Sequence, residues 1–153
     1  MNNRHDETRP SPGADPAAEL CRRLGAVVKS TGQVVVLRAR GEVDAYTLPR
    51  WRSLLDSAAS ETAVGGHLVV ELSEVTFLSV RAVMVLADLA EHLSRRGIAM
   101  CLVTARAAPT IGHVLDLAEM SEWLPIHRDL TTALAATGRP TDPDQTTAVP
   151  EPG

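Results

Sequence analysis

Residues 67–96 read HLVVELSEVTFLSVRAVMVLADLAEHLSRR, and this stretch sets the fold class. Its first part, His67–Leu72, is apolar on both faces at its centre, as expected of a central strand in a parallel sheet. Val75–Leu78 extends this strand toward the next segment. Val80–Arg96 predicts a long helix, because its apolar residues recur at helical spacing and Gly97 is a typical C-terminal stop. A buried strand that leads into a long helix is the repeating unit of α/β folds.

The same spacing predicts which face of this helix turns to the core. The predicted stripe consists of Val80, Val83, Met84, Ala87 and Glu91, widened by Leu86, Leu89 and Leu93. Glu91 and Arg95 are also predicted to form an ion pair one turn apart.

Strand and helix patterns alternate on both sides of this stretch. A turn at Ser30-Thr31-Gly32 joins two β-rich runs into a predicted hairpin, and Gly41–Asp44 is predicted to break the second strand. The further predicted elements are strands 24–29 and 33–40, a helix 48–59 with Thr47 as its N-cap, a strand 98–103, a helix 109–120, a short strand 124–126, and a helix that Asp129 caps and that runs through Leu134. The predicted order is ββαβαβαβα, an α/β fold with a mixed, mostly parallel sheet and four helices.

The two ends of the chain differ in composition from its middle. Seven of the ten prolines lie in residues 1–16 or 140–153, and both ends are rich in polar residues and glycine. Such segments bury too little apolar surface to offset the entropy lost on ordering. We therefore predict a flexible tail over residues 1–18, one domain over 19–137, and a second flexible tail over 138–153.

Composition and charge exclude several classes of function. With 19 acidic against 15 basic residues, the net charge is −4, so no basic surface for a nucleic acid is predicted. Ala82–Ala87, one of the two longest apolar runs, is too short to cross a bilayer. Residues 1–7 lack the apolar segment of a secretion signal. We therefore expect a cytoplasmic protein without direct membrane insertion.

Motifs of catalysis and of cofactor or metal binding are missing from the sequence. It contains no P-loop, no GxGxxG, no HExxH and no GxSxG, and its histidines are scattered over different elements. Cys21 and Cys101 lack metal-binding spacing; they are interpreted either as small apolar residues or as a redox bridge. We therefore expect a protein that is not an enzyme and that holds no cofactor and no metal.

Three segments resemble a known family. Gly41–Ala45, GEVDA, resembles the GELDA loop of STAS domains, the fold of anti-sigma-factor antagonists. Glu71–Leu78, ELSEVTFL, resembles their DLSxVxFLDSSG segment, and Arg95–Val103 is similar to their RRGxxLxLV strand entry. The resemblance extends in order over nearly all of residues 24–136. It implies the STAS fold and a regulator that binds an anti-sigma factor with serine-kinase activity.

The sequence departs from that family at the residue that matters most for regulation. The family's kinase phosphorylates the second serine of DSSG, at the start of the second helix. Ser79, Val80, Arg81 and Ala82 stand at these four positions, so arginine replaces the phosphoacceptor. A serine kinase cannot phosphorylate arginine, and we therefore expect the usual phosphoswitch to be absent.

Two roles are open for these residues. In the first, Ser79–Ala82 and Asp44 line a partner-binding surface, and Arg81 contacts an acidic group of the partner. In the second, Arg81 is a solvated surface residue at a vestigial site. Ser79 is interpreted as the cap of the helix, with phosphorylation of its hydroxyl as the alternative. Asp44 is interpreted as a strand end or an interface residue, with an ion pair to Arg81 as the alternative.

Two hypotheses for the function follow from the resemblance. The first is an anti-sigma-factor antagonist without the serine switch, which acts as a monomer or as a homodimer. The second is a structural STAS subunit of an ABC lipid-transport complex or of a multi-STAS stress-sensing assembly.

Overall fold

A five-stranded mixed sheet forms the centre of the fold. The structure is a computed structural model and describes residues 16–104 and 124–137. In these ranges the elements are, in chain order, α1 (Pro16–Arg23), β1 (Leu24–Thr31), β2 (Val34–Val43), α2 (Leu48–Ser60), β3 (His67–Leu78), α3 (Val80–Arg95), β4 (Ala99–Val103), β5 (Ile126–His127) and α4 (Leu130–Ala136). The strand order is β1-β2-β3-β4-β5; β1 is antiparallel to β2, and all other neighbours are parallel.

The predicted fold class and most of the predicted elements are confirmed. The hairpin forms, with a turn in which Gly32 has a positive φ of 61°. The two β-rich parts of residues 67–78 form one continuous strand. The short last strand is Ile126–His127 rather than 124–126. The predicted helix 109–120 lies outside the described residues.

The first helix was not predicted from the sequence. α1 occupies Pro16–Arg23, and its first three residues fall in the segment assigned to the N-terminal tail. None of its residues is buried, so it lacks the broad apolar face by which a core helix is identified. The other limits of the predicted tails and domain stay predictions.

The sequence analysis predicted that the strand breaks at Gly41–Asp44. In the structure, Gly41 makes a bulge in β2 and does not end it. The register between β2 and β3 shifts at this point, and the strand continues to Val43. Gly41 has a φ of +116°, and a Cβ atom there would lie 2.1 Å from the carbonyl oxygen of Arg23. Only glycine fits, because both the backbone angle and the close approach exclude a side chain.

The main core lies between the sheet and the helices α2 and α3. Trp51 and Leu55 of α2 are buried there. The indole Nε1 of Trp51 donates a hydrogen bond of 3.3 Å to the carbonyl of Ala82, which ties α2 to the first turn of α3. A smaller cluster on the opposite face of the sheet packs β2, β3 and β4 against Ala133 of α4.

The prediction for the buried face of α3 was partly wrong. Val80 and Met84 are 56% and 37% exposed, although they were placed on the inward stripe. The residues of α3 that are buried are Ala82, Val83, Leu86, Ala87, Ala90 and Leu93. The buried arc is therefore rotated toward Ala82 and Leu86, which leaves two large apolar side chains at the start of the helix facing solvent. The predicted pair is confirmed, with 2.7 Å between Arg95 and Glu91.

The two cysteines are free and lie in different surroundings. Cys21 is exposed on α1, whereas Cys101 is buried in β4. Burial raises the pKa of the Cys101 thiol to about 11. α1 packs against β1 and β2, whereas β4 lies on the other side of β3 in the sheet. The disulfide between Cys21 and Cys101 that the sequence left open is therefore not formed.

Candidate functional site

The first turn of α3 is held in place by Ser79. Its backbone is extended, with φ −72° and ψ 162°, and its hydroxyl accepts a hydrogen bond of 3.1 Å from the amide of Ala82. Its own amide donates to the carbonyl of Val43, at 2.9 Å, so the helix start is fixed to the end of β2. The interpretation of Ser79 as a helix cap is thus confirmed.

The four residues Ser79–Ala82 point in different directions. Val80 and Arg81 are exposed and Ser79 is half-buried, whereas Ala82 is fully buried. The amide of Ala82 donates to Ser79 and its carbonyl accepts from Trp51. Ala82 therefore supports the helix start from below, and Val80 and Arg81 are the side chains that a partner can reach.

Exposed apolar side chains lie on the segments that meet at this helix start. Phe77 at the end of β3 is 52% exposed, and Tyr46 in the loop after β2 is 49% exposed. With Val80 and Met84, one helical turn apart on α3, they form what we call the apolar patch. Since the carboxyl ends of β2 and β3 are paired in parallel, with Glu42 opposite Phe77, these side chains belong to one edge of the sheet.

Arg81 lies next to Val80 of this patch without a charged partner. Among residues 16–104 and 124–137, no carboxylate forms an ion pair with it. The considered pair between Arg81 and Asp44 is not formed, because Asp44 binds Arg23 instead, at 3.0 Å. A guanidinium at a helix N-terminus is also not stabilised by the helix dipole. Within the described part of the chain, the Arg81 guanidinium therefore has no carboxylate partner.

Asp44 organises the loop that follows β2. Its Oδ1 accepts hydrogen bonds from the amides of Tyr46 and Thr47, both at 3.0 Å. The Thr47 hydroxyl in turn accepts from the amide of Asp44 and donates to the carbonyl of Glu42. Thr47 is the N-cap residue by position, as predicted, but its hydroxyl serves this loop and not the helix. The hydrogen bonds from Thr47, with the charge of Arg23, lower the pKa of the Asp44 carboxyl.

The family of the chain follows from comparison with known proteins. The family model described as the STAS domain matches residues 26–133, a range that holds both the Asp44 loop and the start of α3. The chain belongs to the STAS domain family. The anti-sigma-F factor antagonist RsfA of Mycobacterium tuberculosis is 34% identical to this STAS protein over 114 residues, which are 74% of this chain and 88% of RsfA.

Solved structures of anti-sigma factor antagonists share the fold of this STAS domain. One from Mycobacterium paratuberculosis has a TM-score of 0.62 at 23% identity, over 76% of this chain and 95% of that one. SpoIIAA in its unphosphorylated form has a TM-score of 0.54 at 18% identity, over 76% of this chain and 100% of its own. SpoIIAA of Bacillus has also been solved in a phosphorylated form. At these identities the likeness concerns the fold alone.

The sequence analysis missed three residues around the site of this STAS domain. Tyr46 and Phe77 are the only tyrosine and the only phenylalanine of the chain, and both are half-exposed at the same edge of the sheet. In a chain with 3% aromatic residues, two aromatic residues so close to the ends of predicted strands were a usable sequence signal. Arg23, the third, carried no signal, because its partner Asp44 is 21 residues away.

In the described ranges, no three His, Cys, Asp or Glu side chains lie close enough together to hold a metal ion. No helix there is both long and apolar enough to cross a membrane. Among the described residues, the site consists of exposed apolar side chains and, beside them, the guanidinium of Arg81, which forms no ion pair there.

Proposed function

We propose that this STAS protein is an anti-sigma-factor antagonist, and that it binds its anti-sigma factor through the apolar patch and Arg81. A relative with 34% identity over most of both chains carries that name, which supports the assignment. The missing catalytic motifs support binding rather than catalysis. The protein then acts by occupying the anti-sigma factor, so that the sigma factor is released.

The observation that carries the proposal is Arg81, which is exposed beside the apolar patch and forms no ion pair with any residue that the structure describes. Large apolar side chains at the centre of an interface contribute most of the binding free energy when they are buried by the partner. Arginine contributes there when it meets a carboxylate, because its guanidinium binds both carboxylate oxygens. The complementary surface is therefore an acidic side chain of the anti-sigma factor surrounded by apolar residues.

We further propose that the partner is of the serine-kinase type and that this antagonist escapes its phosphorylation. A phosphate at this turn would add about two negative charges next to the patch and would repel an acidic partner surface. Arg81 offers no hydroxyl to a kinase. The Ser79 hydroxyl is half-buried and is already bonded to the amide of Ala82.

A pull-down with matched charge reversals tests the binding surface. Tagged wild-type protein, Arg81→Glu and Arg96→Glu are compared as baits in lysate of the source cells. Arg96 is exposed at the other end of α3, so its reversal changes the net charge equally without touching the patch. We expect the wild type and Arg96→Glu to capture the anti-sigma factor equally. Arg81→Glu should weaken capture by about a hundredfold, the cost typical of truncating or reversing an interfacial charge pair.

Other outcomes of the same experiment contradict the proposal. Equal capture by Arg81→Glu would remove Arg81 from the interface. Capture of a membrane permease or of other STAS proteins, without an anti-sigma factor, would instead support a structural STAS subunit. Light scattering of the eluted complex gives its stoichiometry and shows whether the antagonist enters as a homodimer.

Phosphorylation is tested with the captured partner and ATP. We expect no phosphoryl group on the wild-type protein in intact-mass spectra, and one on Arg81→Ser, which restores an acceptor at the exposed position. A phosphoryl group on wild-type Ser79 would contradict the proposed escape from the kinase.

A further inference from the structure

The last residue of α1 reaches the loop beside the apolar patch. The Arg23 guanidinium lies 3.0 Å from Oδ2 of Asp44 and 3.5 Å from Oε1 of Glu42. It also lies over the Tyr46 ring, with 5.1 Å between Cζ and the ring centroid. One side chain thus contacts Glu42 near the end of β2 and two residues, Asp44 and Tyr46, of the loop that joins β2 to α2.

The backbone at this arginine is fixed from two sides. Its carbonyl oxygen lies so close to Gly41 that only glycine fits there. The next carbonyl, that of Leu24, accepts a hydrogen bond of 2.6 Å from Nε of Arg50 on α2. Leu24 itself is fully buried. The backbone at Arg23 and Leu24 is therefore held in place and positions the guanidinium at the loop, although α1 as a whole buries none of its residues.

The position of the Arg23 side chain carries an unfavourable free-energy term. The Nε atom of Arg23 is buried, and none of the described residues accepts a hydrogen bond from it. A buried donor without a partner is unfavourable, typically by an amount comparable to a lost hydrogen bond. The contacts that offset it are those to Asp44, Glu42 and the Tyr46 ring, which are the contacts that order the loop.

We propose that Arg23 is a positioning residue of the partner-binding surface: it holds the Asp44–Thr47 loop so that Tyr46 is presented to the anti-sigma factor. This inference rests on the proposed function. Tyr46 belongs to the apolar patch, and a loop ordered before binding lowers the entropy that the complex loses. Arg23 acts through Tyr46 and Asp44 and need not touch the partner.

The single tyrosine allows a direct test in the full-length protein. Biosynthetic incorporation of 3-fluorotyrosine gives one ¹⁹F resonance, which reports Tyr46 alone. We expect Arg23→Ala to move this resonance to the position of a freely solvated fluorotyrosine and to narrow it. Sodium chloride at about 1 M should move the wild-type resonance in the same direction, because it screens exposed ion pairs.

The matched control is the preceding arginine. Arg22→Ala removes an equal charge from the same helix, but Arg22 pairs with Glu19 within α1 and not with the loop. It should leave the resonance unchanged. Asp44→Asn, which keeps the side-chain shape, provides a second variant in case Arg23→Ala does not fold; it should move the resonance like Arg23→Ala. A wild-type spectrum for either variant would overturn the proposal.

Binding separates this inference from the proposed function. Calorimetry with the captured anti-sigma factor should show about tenfold weaker binding for Arg23→Ala, because one or two side chains of the loop must be ordered on binding when Arg23 is missing. Arg22→Ala should bind like wild type. If Arg23→Ala moves the resonance but binds like wild type while Arg81→Glu does not bind, the positioning role is overturned and the proposed function stands. If neither Arg81→Glu nor Tyr46→Ala weakens binding, the proposed binding surface is wrong, and the positioning role of Arg23 fails with it.

Discussion

Replacing Ser79 by alanine should destabilise the protein through the amide that Ser79 caps. Loss of an N-cap side chain typically lowers the free energy of unfolding by about 1 kcal/mol. Here the capped amide belongs to Ala82, which is fully buried, so water cannot replace the lost acceptor. A buried amide without a partner costs about 1–3 kcal/mol. We therefore expect Ser79→Ala to lower the unfolding free energy by about 1.5–2 kcal/mol, toward the upper end of the range for caps.

Urea unfolding followed by tryptophan fluorescence measures this loss, since Trp51 is fully buried in the folded state. For a domain of this size, the expected change corresponds to a fall in melting temperature of about 6 °C. Ser79→Asp is the control. Aspartate caps helices as well as serine does, and its charge is favourable at a helix N-terminus, so its stability should stay within about 0.5 kcal/mol of wild type.

Two results would refute the reasoning. If Ser79→Ala loses less than about 0.5 kcal/mol, the cap is not what fixes the first turn of α3. If Ser79→Asp loses as much as Ser79→Ala, the serine matters for some property other than its capping oxygen. Either outcome would favour the alternative role of Ser79, phosphorylation of its hydroxyl.

Three further predictions follow from individual residues. Gly41→Ala should lower the unfolding free energy by at least about 2 kcal/mol in urea titrations, because a left-handed angle and a steric overlap both oppose the new Cβ. Alkylation at pH 8 should modify Cys21 and spare Cys101 in intact-mass spectra, since burial raises the pKa of Cys101 to about 11. Asp129→Ala should destabilise the protein at pH 7 in thermal melts, and the difference from wild type should shrink as the pH falls below about 4. The pKa of Asp129 is lowered by its hydrogen bond to a backbone amide of α4, so its contribution is present above the unfolded pKa and is lost as the pH falls through the folded pKa.

Local patterns in the sequence were sufficient for most elements. The alternation of β-rich and helical periods predicted the hairpin, α2, β3, α3 and β4, because each period reports which side chains of a segment can be buried together. The three motif segments predicted the family. The same resemblance predicts, from the order of residues after Leu78, that Arg81 stands at the phosphoacceptor position; this stays a prediction.

Other features needed the tertiary structure, for a common reason. Val80 and Met84 fit an inward stripe by spacing, but which arc of a helix is buried depends on how the helix rotates against the sheet. α1 has no buried face to detect. The bulge at Gly41 exists because a distant backbone, at the end of α1, passes too close for any Cβ.

The sequence by itself was sufficient to predict a STAS domain, and its resemblance to the family predicts that arginine stands at the usual phosphoacceptor position, because both depend on residue types in linear order. Only the tertiary structure decided what surrounds that arginine. Asp44 is occupied by Arg23 from 21 positions earlier in the chain, and this leaves Arg81 unpaired among the described residues. Pairings between such distant residues depend on how strands and helices pack, and no local pattern encodes them.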